Sequence, residues 1–152
     1  MPVAASSLLQ VAMVDRLLPP GKRAGVITAS SETLGAEHLI AAGARADTPL
    51  VGVQEVKGVW PPSTIPAERS EWDMVAAEVD MLRAGEMLVQ RHPEIGAVVL
   101  ECTNMPPFAR SLAEHVRRPV FDIYSFICWF HAGLAPRDFG HPGSAARPFR
   151  ER

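Results

Sequence analysis

The stretch "AVVLECTNMPPFARSL", residues 97–112, decides the fold class. An apolar run rich in valine stops at Cys102, two small polar residues follow, and Pro106 and Pro107 open a helical pattern. A short run that is apolar throughout is typical of a strand covered on both faces. Proline fits the first turn of a helix because the missing N–H has no intrahelical partner there. The stretch therefore predicts a buried strand that leads into a helix, with a thiol between them.

Strand-like and helix-like segments alternate along the whole chain. Runs rich in valine and isoleucine predict four strands, at residues 24–30, 50–56, 96–102 and 119–126. Helical patterns predict five helices, at residues 7–18, 32–42, 71–91 and 108–117 and after Phe126. This order predicts a three-layer α/β/α fold with a mainly parallel four-stranded sheet and right-handed crossovers.

The helical segments carry more specific predictions. Gly43 is expected to stop the helix at residues 32–42. A 3.6-residue period predicts the buried face of the long helix: Trp72, Val75, Val79, Leu82 and Val89. The same period predicts the buried face of the next helix: Phe108, Leu112 and Val116.

We divide the chain into three parts. Residues 1–20 are predicted to hold the remnant of a strand and a helix, residues 21–135 an α/β lobe, and residues 136–152 a basic tail with four arginines. The tail is expected to be solvated, with anion binding as the alternative. The Pro-containing segment at residues 57–70 is predicted to be either a lid over a site or a plain surface loop.

Composition limits the classes of function. The chain has 152 residues, 47% of them hydrophobic and 21% charged, and a formal net charge of -2, which favours one globular domain with no general attraction to nucleic acid or to anionic membranes. Two cysteines make no disulfide framework. No apolar run approaches the roughly 20 residues of a membrane span. Residues 1–9 contain no lysine or arginine, so they do not have the charged start of a signal peptide. We therefore expect a cytoplasmic protein. The sequence has no phosphate-binding loop, and its five histidines show no metal-ligand spacing, so neither a cofactor nor a metal is expected.

Cys102 is the candidate catalytic residue. Parallel sheets bind ligands beyond the carboxyl ends of their strands, where Cys102 is predicted to lie. The turn after it is expected to direct backbone N–H groups outward, with the positive end of the helix dipole behind them, which suits a carboxylate and lowers the pKa of a nearby thiol. The alternative is that Cys102 is a small core residue. Cys128, in the apolar run "FICWF", is predicted to be a packing residue.

Polar residues next to the predicted strand ends are further candidates. Glu101 precedes Cys102 and should point to the opposite face of the sheet, as a partnered structural carboxylate rather than a catalytic one. Asp122, Tyr124 and Ser125 approach the end of the neighbouring predicted strand. One of them can enter the same cleft, but packing or local hydrogen bonding is the preferred interpretation.

The segment "GAVVLECTNMPPFARSLAEHVRRPVFDIYSF", residues 96–126, resembles the second-cysteine motif of the aspartate/glutamate/hydantoin racemase superfamily. The segment "SSLLQVAMVDRLLPPGKRAGVITASSETLGAEHLIAAG", residues 6–43, is similar to the middle region of the same proteins. The resemblance implies two α/β lobes around a cleft, with one acid/base cysteine from each lobe and no cofactor. Cys102 matches the cysteine of the second lobe.

The same resemblance implies the substrate-binding residues: Thr103 and Asn104 for the substrate carboxylate, and Thr28 and Ser30 for a polar loop that lines the cleft. The first-lobe cysteine of the family has no counterpart in this sequence. Two-base racemisation is therefore only the first hypothesis, with a small carboxylate or amino acid as ligand. One alternative is a non-catalytic or partner-dependent lobe that binds a small acid, and another is a decarboxylase-type relative that uses a single cysteine. A third is an unrelated α/β domain.

A lobe without its counterpart should leave apolar surface uncovered on the cleft side and on the N-terminal helix. We therefore expect self-association of the chain, in its simplest form as a twofold dimer.

Overall fold

The computed structural model describes residues 2–59 and 73–140. In chain order, its helices and strands are α1 (Leu9–Leu17), β1 (Arg23–Thr28), α2 (Ala36–Ala41), β2 (Leu50–Gly52), α3 (Met74–Arg91), β3 (Ile95–Leu100), α4 (Ala109–Val116), β4 (Val120–Phe121) and α5 (Ile123–Leu134). Short 3₁₀ helices at Val53–Val56 and Pro106–Phe108 follow β2 and precede α4.

The four strands form one sheet in the order β2-β1-β3-β4, and every neighbouring pair is parallel. In the central pair, Val26 of β1 lies beside Val99 of β3. The chain winds from β1 outward to β2 and then returns across the sheet to β3, so the winding direction reverses between β1 and β3. The predicted α/β class and parallel sheet are confirmed, and this reversal point is where open parallel sheets bind ligands.

Two apolar clusters cover the two faces of the sheet. On one face, α3 and α4 pack through residues such as Met81, Leu88 and Leu112, all fully buried. On the other face, α1 and α2 pack through Val11, Val14 and Leu39. Because both faces are covered, β1 and β3 are apolar nearly throughout and the fold has three layers.

Several predicted helix boundaries and faces agree with the structure. Gly43 follows α2 with a φ of 80°, a conformation that glycine adopts without steric cost. Phe108, Leu112 and Val116 are all buried, as the helical period predicts. Pro106 begins the 3₁₀ helix that leads into α4.

The predicted strands at residues 50–56 and 119–126 are too long. Only Leu50–Gly52 is a strand, because the Glu55 carboxylate accepts a hydrogen bond from the Gly52 N–H at 2.9 Å and closes a 3₁₀ turn. Val120–Phe121 is equally short, because Asp122 caps a helix by accepting from the Ser125 N–H at 2.7 Å. In both cases a side chain supplies a local partner that competes with the strand ladder.

The predicted buried face of the long helix is only partly right, since Leu82 and Val89 are half-buried against the core but the fully buried residues are others. In α3 the buried residues are Ala77, Asp80, Met81, Ala84, Gly85 and Leu88. Val75 is 73% exposed and Val79 is 40% exposed. Three of the buried residues, Ala77, Ala84 and Gly85, are small, and a prediction based on large apolar side chains overlooks them.

The ends of the predicted organisation are only partly covered by the described residues. Residues 2–7 form no strand, so the predicted strand remnant is not found there. The central part of the predicted lid, Trp72 of the predicted helical face and most of the basic tail fall in residues 60–72 and 141–152, outside the described ranges. Within those ranges, no helix is long and apolar enough to cross a membrane.

The corrected face of α3 can be tested with two truncations. Met81→Ala removes a fully buried side chain and should lower the free energy of unfolding by about 2–5 kcal/mol. Val75→Ala, on the face first predicted to be buried, should change it by less than about 0.5 kcal/mol. Urea denaturation followed by circular dichroism measures both, and a larger loss for Val75→Ala would contradict the assigned face.

Candidate functional site

The candidate site lies at the carboxyl ends of β1 and β3, where the winding of the sheet reverses. Pairing continues one residue past β3, because the Glu101 N–H donates to the Ile27 carbonyl at 2.9 Å. Thr28 is the last residue of β1, and Cys102 follows Glu101. The two central strands therefore bring Thr28, Glu101 and Cys102 to the same edge of the sheet.

Thr28 and Glu101 form a hydrogen-bonded pair on the face covered by α1 and α2. The Thr28 hydroxyl, 3% exposed, donates to Oε2 of Glu101 at 2.8 Å. The start of α1 is tied to the same strand end, because the Ser7 hydroxyl donates to the Leu100 carbonyl at 2.7 Å. Glu101 is thus partnered, and it lies on the opposite side of the sheet from Cys102, as strand alternation predicts.

Cys102 packs, half-buried, against the apolar cluster of α3 and α4. Burial raises the pKa of the Cys102 thiol, since it disfavours the charged thiolate. A hydrogen bond from the Asn104 backbone N–H lowers the pKa, and the negative charge of Glu101 raises it. Together these effects raise the pKa of Cys102 above the ordinary cysteine value.

The expectation of a lowered pKa at Cys102 is therefore wrong. It assumed that the helix begins directly behind the thiol, but α4 begins only at Ala109. The turn after the cysteine also uses one of its own N–H groups internally, since Met105 donates to the Cys102 carbonyl at 3.1 Å. The field of a helix end weakens within a turn, so burial has the larger effect.

The remaining predicted site residues are placed as follows. Thr103 and Asn104 are exposed beside Cys102 in the turn after β3. Ser30 is half-buried two residues past β1, where its carbonyl accepts from the N–H groups of Thr33 and Leu34. The structure thus brings Thr28, Thr103 and Asn104 to the same edge as Cys102, whereas the Ser30 carbonyl accepts hydrogen bonds within its own turn.

A cleft of about 330 Å³ opens beside Glu101 between α1 and α2. Its walls are mostly apolar, and three polar residues reach it: Ser6, His38 and Glu101. This volume lies within the range of small-ligand pockets. The sequence does not predict this cleft, because it forms only when α1 and α2 pack side by side. The one signal in the sequence is Glu101, a polar residue at the end of a buried strand.

A second cavity, of about 340 Å³, lies at the opposite end of β1. It is lined by Asp15, Gly21, Lys22, Arg23 and Arg45. Although slightly larger, it opens at the amino end of the sheet, where parallel α/β domains do not place their sites. We therefore assign the candidate site to the carboxyl edge.

The other polar candidates do not join this site. Asp122 is the N-cap of α5: its carboxylate accepts from the Ser125 N–H, and its own N–H donates to the Ser125 hydroxyl, which confirms local hydrogen bonding. Tyr124 lies on a helix rather than a strand and is 70% exposed. Cys128 is exposed on α5, so the prediction that it is a packing residue is wrong. Among the described residues, no three His, Cys, Asp or Glu side chains are grouped to hold a metal ion.

These features define a parallel α/β domain with a half-buried thiol and a partnered carboxylate at its topological switch point. Comparison with known proteins finds two similar proteins among those that match. The chain is 28% identical over 127 residues to dimethylsulfoniopropionate lyase of Durusdinium sp. clade D. It is 23% identical over 140 residues to dimethylsulfoniopropionate lyase 5 of Emiliania huxleyi (strain CCMP1516).

The similarity extends over 80% and 87% of this chain but only 41% and 27% of the two relatives, so the chain spans less than half of their length. No family model matches the chain, and no solved structure matches it. These findings overturn the assignment to the aspartate/glutamate/hydantoin racemase superfamily and to the isomerases, because both relatives carry the name of a lyase.

The electrostatics of Cys102 can be measured through its reactivity. With Cys128 replaced by Ser, the rate of alkylation by iodoacetamide should rise with pH around a midpoint above the ordinary cysteine pKa of about 8.5. Glu101→Gln removes a negative charge that disfavours the thiolate, so the midpoint should move to lower pH.

The glutamine keeps an oxygen that can accept from Thr28, so the packing of the strand ends is retained. Glu114→Gln, on an exposed position of α4, is the matched control and should leave the midpoint unchanged. An upward or absent shift in Glu101→Gln would contradict the assigned coupling between Glu101 and Cys102.

Proposed function

We propose that this chain is the cysteine-bearing part of a lyase that breaks a carbon–sulfur bond in a small sulfonium carboxylate of the dimethylsulfoniopropionate type. The observation that carries the proposal is the position of Cys102 at the switch point of the sheet. The chain is also similar to two proteins named dimethylsulfoniopropionate lyase. Among the alternatives raised from the sequence, a single-cysteine relative of the decarboxylase type is the nearest, since decarboxylases are also lyases.

The proposed reaction is a β-elimination. The Cys102 thiolate takes a proton from the carbon next to the substrate carboxylate, and the electron pair of that C–H bond becomes a carbon–carbon double bond. The bond between the adjacent carbon and the sulfonium sulfur breaks at the same time, so dimethyl sulfide leaves with the electron pair. Acrylate remains, and the thiol holds the proton until solvent removes it. One base is enough for this chemistry, whereas racemisation needs a proton donor on the opposite face as well.

Both charged ends of such a substrate have counterparts at the site. The exposed turn of Thr103 and Asn104, next to the thiol, offers a hydroxyl and an amide as hydrogen-bond donors for the carboxylate. On the opposite side of the sheet from the thiol, the cleft between α1 and α2 offers apolar walls for two methyl groups and the Glu101 carboxylate for the positive sulfur. The proposal therefore requires the substrate to lie across the strand ends, with its carboxylate on one side and its sulfur on the other. Oε2 of Glu101 is held by Thr28, which fixes the direction of the carboxylate.

The charge of the substrate also bears on the raised pKa of Cys102. Glu101 is one cause of that raised pKa. A sulfonium group bound near Glu101 offsets its negative charge and adds a positive charge close to the thiol. Both effects favour the thiolate, and they oppose the effect of the substrate's own carboxylate, which Thr103 and Asn104 hold beside the thiol.

The proposal predicts dimethyl sulfide release that depends on Cys102. Wild-type chain incubated with dimethylsulfoniopropionate should release dimethyl sulfide, measured by headspace gas chromatography, at a rate that increases toward alkaline pH. Cys102→Ser should lower the rate at least a hundredfold, because a serine hydroxyl is a far weaker acid and is scarcely ionised at these pH values. Cys128→Ser is the matched control and should keep the wild-type rate.

Equal rates in Cys102→Ser and wild type would reject Cys102 as the base. No release from the wild-type chain at any pH would reject catalysis by this chain by itself. Calorimetric binding of the same substrate would then favour the non-catalytic alternative, a lobe that binds a small acid or acts with a partner.

A further inference from the structure

The cleft between α1 and α2 contains a carboxylate that has no counter-ion among the described residues. Glu101 is half-buried in the wall of the cleft, and it forms no ion pair with any residue that the structure describes. Its Oε2 accepts from the Thr28 hydroxyl at 2.8 Å, whereas Oε1 accepts no hydrogen bond from the described part of the chain. A charge that is partly removed from water without a partner is costly, so a cation in the cleft would be stabilised.

The other residues of the cleft supply no positive charge. Within residues 2–59 and 73–140, no Lys or Arg lines the cleft. His38 reaches the cleft, but its Nδ1 accepts from the Gly35 N–H at 3.0 Å, so the ring is neutral in this arrangement and carries its proton on Nε2. Glu37, whose Oε1 lies 3.5 Å from Nδ1 of the same ring, adds a second negative charge nearby. The electrostatics of the cleft therefore favour a cation over a neutral or anionic group.

The walls of the cleft suit methyl groups better than N–H groups. They are built largely from aliphatic side chains, of which Leu8, Leu9 and Leu34 are the largest. The side-chain acceptors that line the cleft are Glu101 and Ser6, and the Ser6 hydroxyl oxygen already accepts from the Leu8 N–H at 3.2 Å. A primary ammonium group carries three N–H donors, and each donor without an acceptor in the cleft costs free energy. A fully methylated cation has no such donor, and its methyl groups pack against the leucines.

We propose that this cleft binds fully methylated cations as a class, quaternary ammonium as well as sulfonium. Sulfonium binding at Glu101 is part of the proposed function, so the inference rests on it there, but recognition by charge and methyl groups does not depend on the sulfur atom. The cleft, of about 330 Å³, has room for one additional methyl group. Trimethylammoniopropionate, the trimethylammonium analogue of dimethylsulfoniopropionate, should therefore occupy the same site.

The composition of the cleft also limits the affinity. Among the described residues that line it, none is Phe, Tyr or Trp, so the cleft lacks the aromatic rings that strengthen the binding of quaternary ammonium groups in other proteins. Glu101 is only half-buried, so water and salt weaken its attraction for the cation. We therefore expect dissociation constants of about 1–10 mM for small methylated cations.

Small cations without a carboxylate test the cleft separately from the rest of the site. Amide proton–nitrogen NMR spectra of the whole chain, titrated at constant ionic strength, should show that tetramethylammonium and trimethylsulfonium shift the same amides, those of Leu34 and Ala42 among them. Their affinities should agree within about threefold. Methylammonium should bind at least about fivefold more weakly, because it brings N–H donors into an apolar cleft. Equal binding of methylammonium, or no shift of these amides with about 100 mM of the methylated cations, would overturn the inference.

Two pairs of variants locate the site. Glu101→Gln keeps an acceptor for Thr28 but removes the charge, so it should weaken tetramethylammonium binding at least about fivefold. Glu114→Gln, exposed on α4 across the sheet, is the matched control and should keep the wild-type affinity. Ala41→Lys places a competing ammonium group at an exposed position of the cleft wall and should also weaken binding at least about fivefold. Its control is Ala36→Lys, exposed on the same helix but not among the residues that line the cleft.

Circular dichroism checks that these variants are folded. Wild-type affinity in Glu101→Gln would overturn the assignment of the carboxylate as the cation ligand. Equal losses in Ala41→Lys and Ala36→Lys would overturn the placement in this cleft, since a general change in charge would then explain both.

Inhibition connects the cleft to the reaction. Trimethylammoniopropionate should compete with dimethylsulfoniopropionate for the site and slow the release of dimethyl sulfide, because trimethylamine is a stronger base and therefore a poorer leaving group than dimethyl sulfide. Binding of the methylated cations without any release of dimethyl sulfide would reject the proposed function and support this inference. Release of dimethyl sulfide without binding of these cations would overturn this inference and leave the role of Cys102 in place.

Discussion

The parallel pairing of β1 with β3 is the constraint on which the rest of the structure depends. These two strands form the centre of the sheet, bury apolar side chains on both faces and separate the two layers of helices. Their pairing continues to the Glu101 N–H, and the Thr28 hydroxyl then joins the two strand ends through the Glu101 carboxylate. The site is therefore positioned by the two central strands of the sheet rather than by a long loop.

Much of this fold follows from sequence patterns because helix ends and buried strands have local causes. A glycine at the left-handed position after α2 and prolines before α4 are visible without tertiary information. The errors occur where distant contacts decide. The buried side of α3 is set by the surface it meets, and close packing against Leu112 and Val116 selects Gly85 over larger residues. Cys128 was expected to be buried because its neighbours are apolar, but no described helix or strand covers that side of α5.

The candidate site shows the same division. The thiol at the end of a buried strand is evident from residues 97–112, since an apolar run stops there. Strand alternation also predicts that Glu101 and Cys102 point to opposite faces. Neither the partner of Glu101 nor the cleft beside it is visible in the sequence, because Thr28 lies 73 residues away and the cleft forms between two helices. The pKa of Cys102 depends on burial, which a motif does not encode.

Two adjacent residues on opposite faces of one strand end give the site its chemical character. Glu101 and Cys102 are adjacent in the chain, so the negative charge of the Glu101 carboxylate raises the pKa of the thiol although the two side chains lie on opposite faces of the sheet. In the free protein burial, together with the charge of Glu101, raises the pKa of the thiol. In the proposed reaction the sulfonium group of the substrate offsets the charge of the Glu101 carboxylate as the substrate delivers the acidic C–H bond. A small acid without such a cationic group leaves that carboxylate charge in place, so under this proposal the site discriminates for sulfonium substrates through the ionisation of its base as well as through binding.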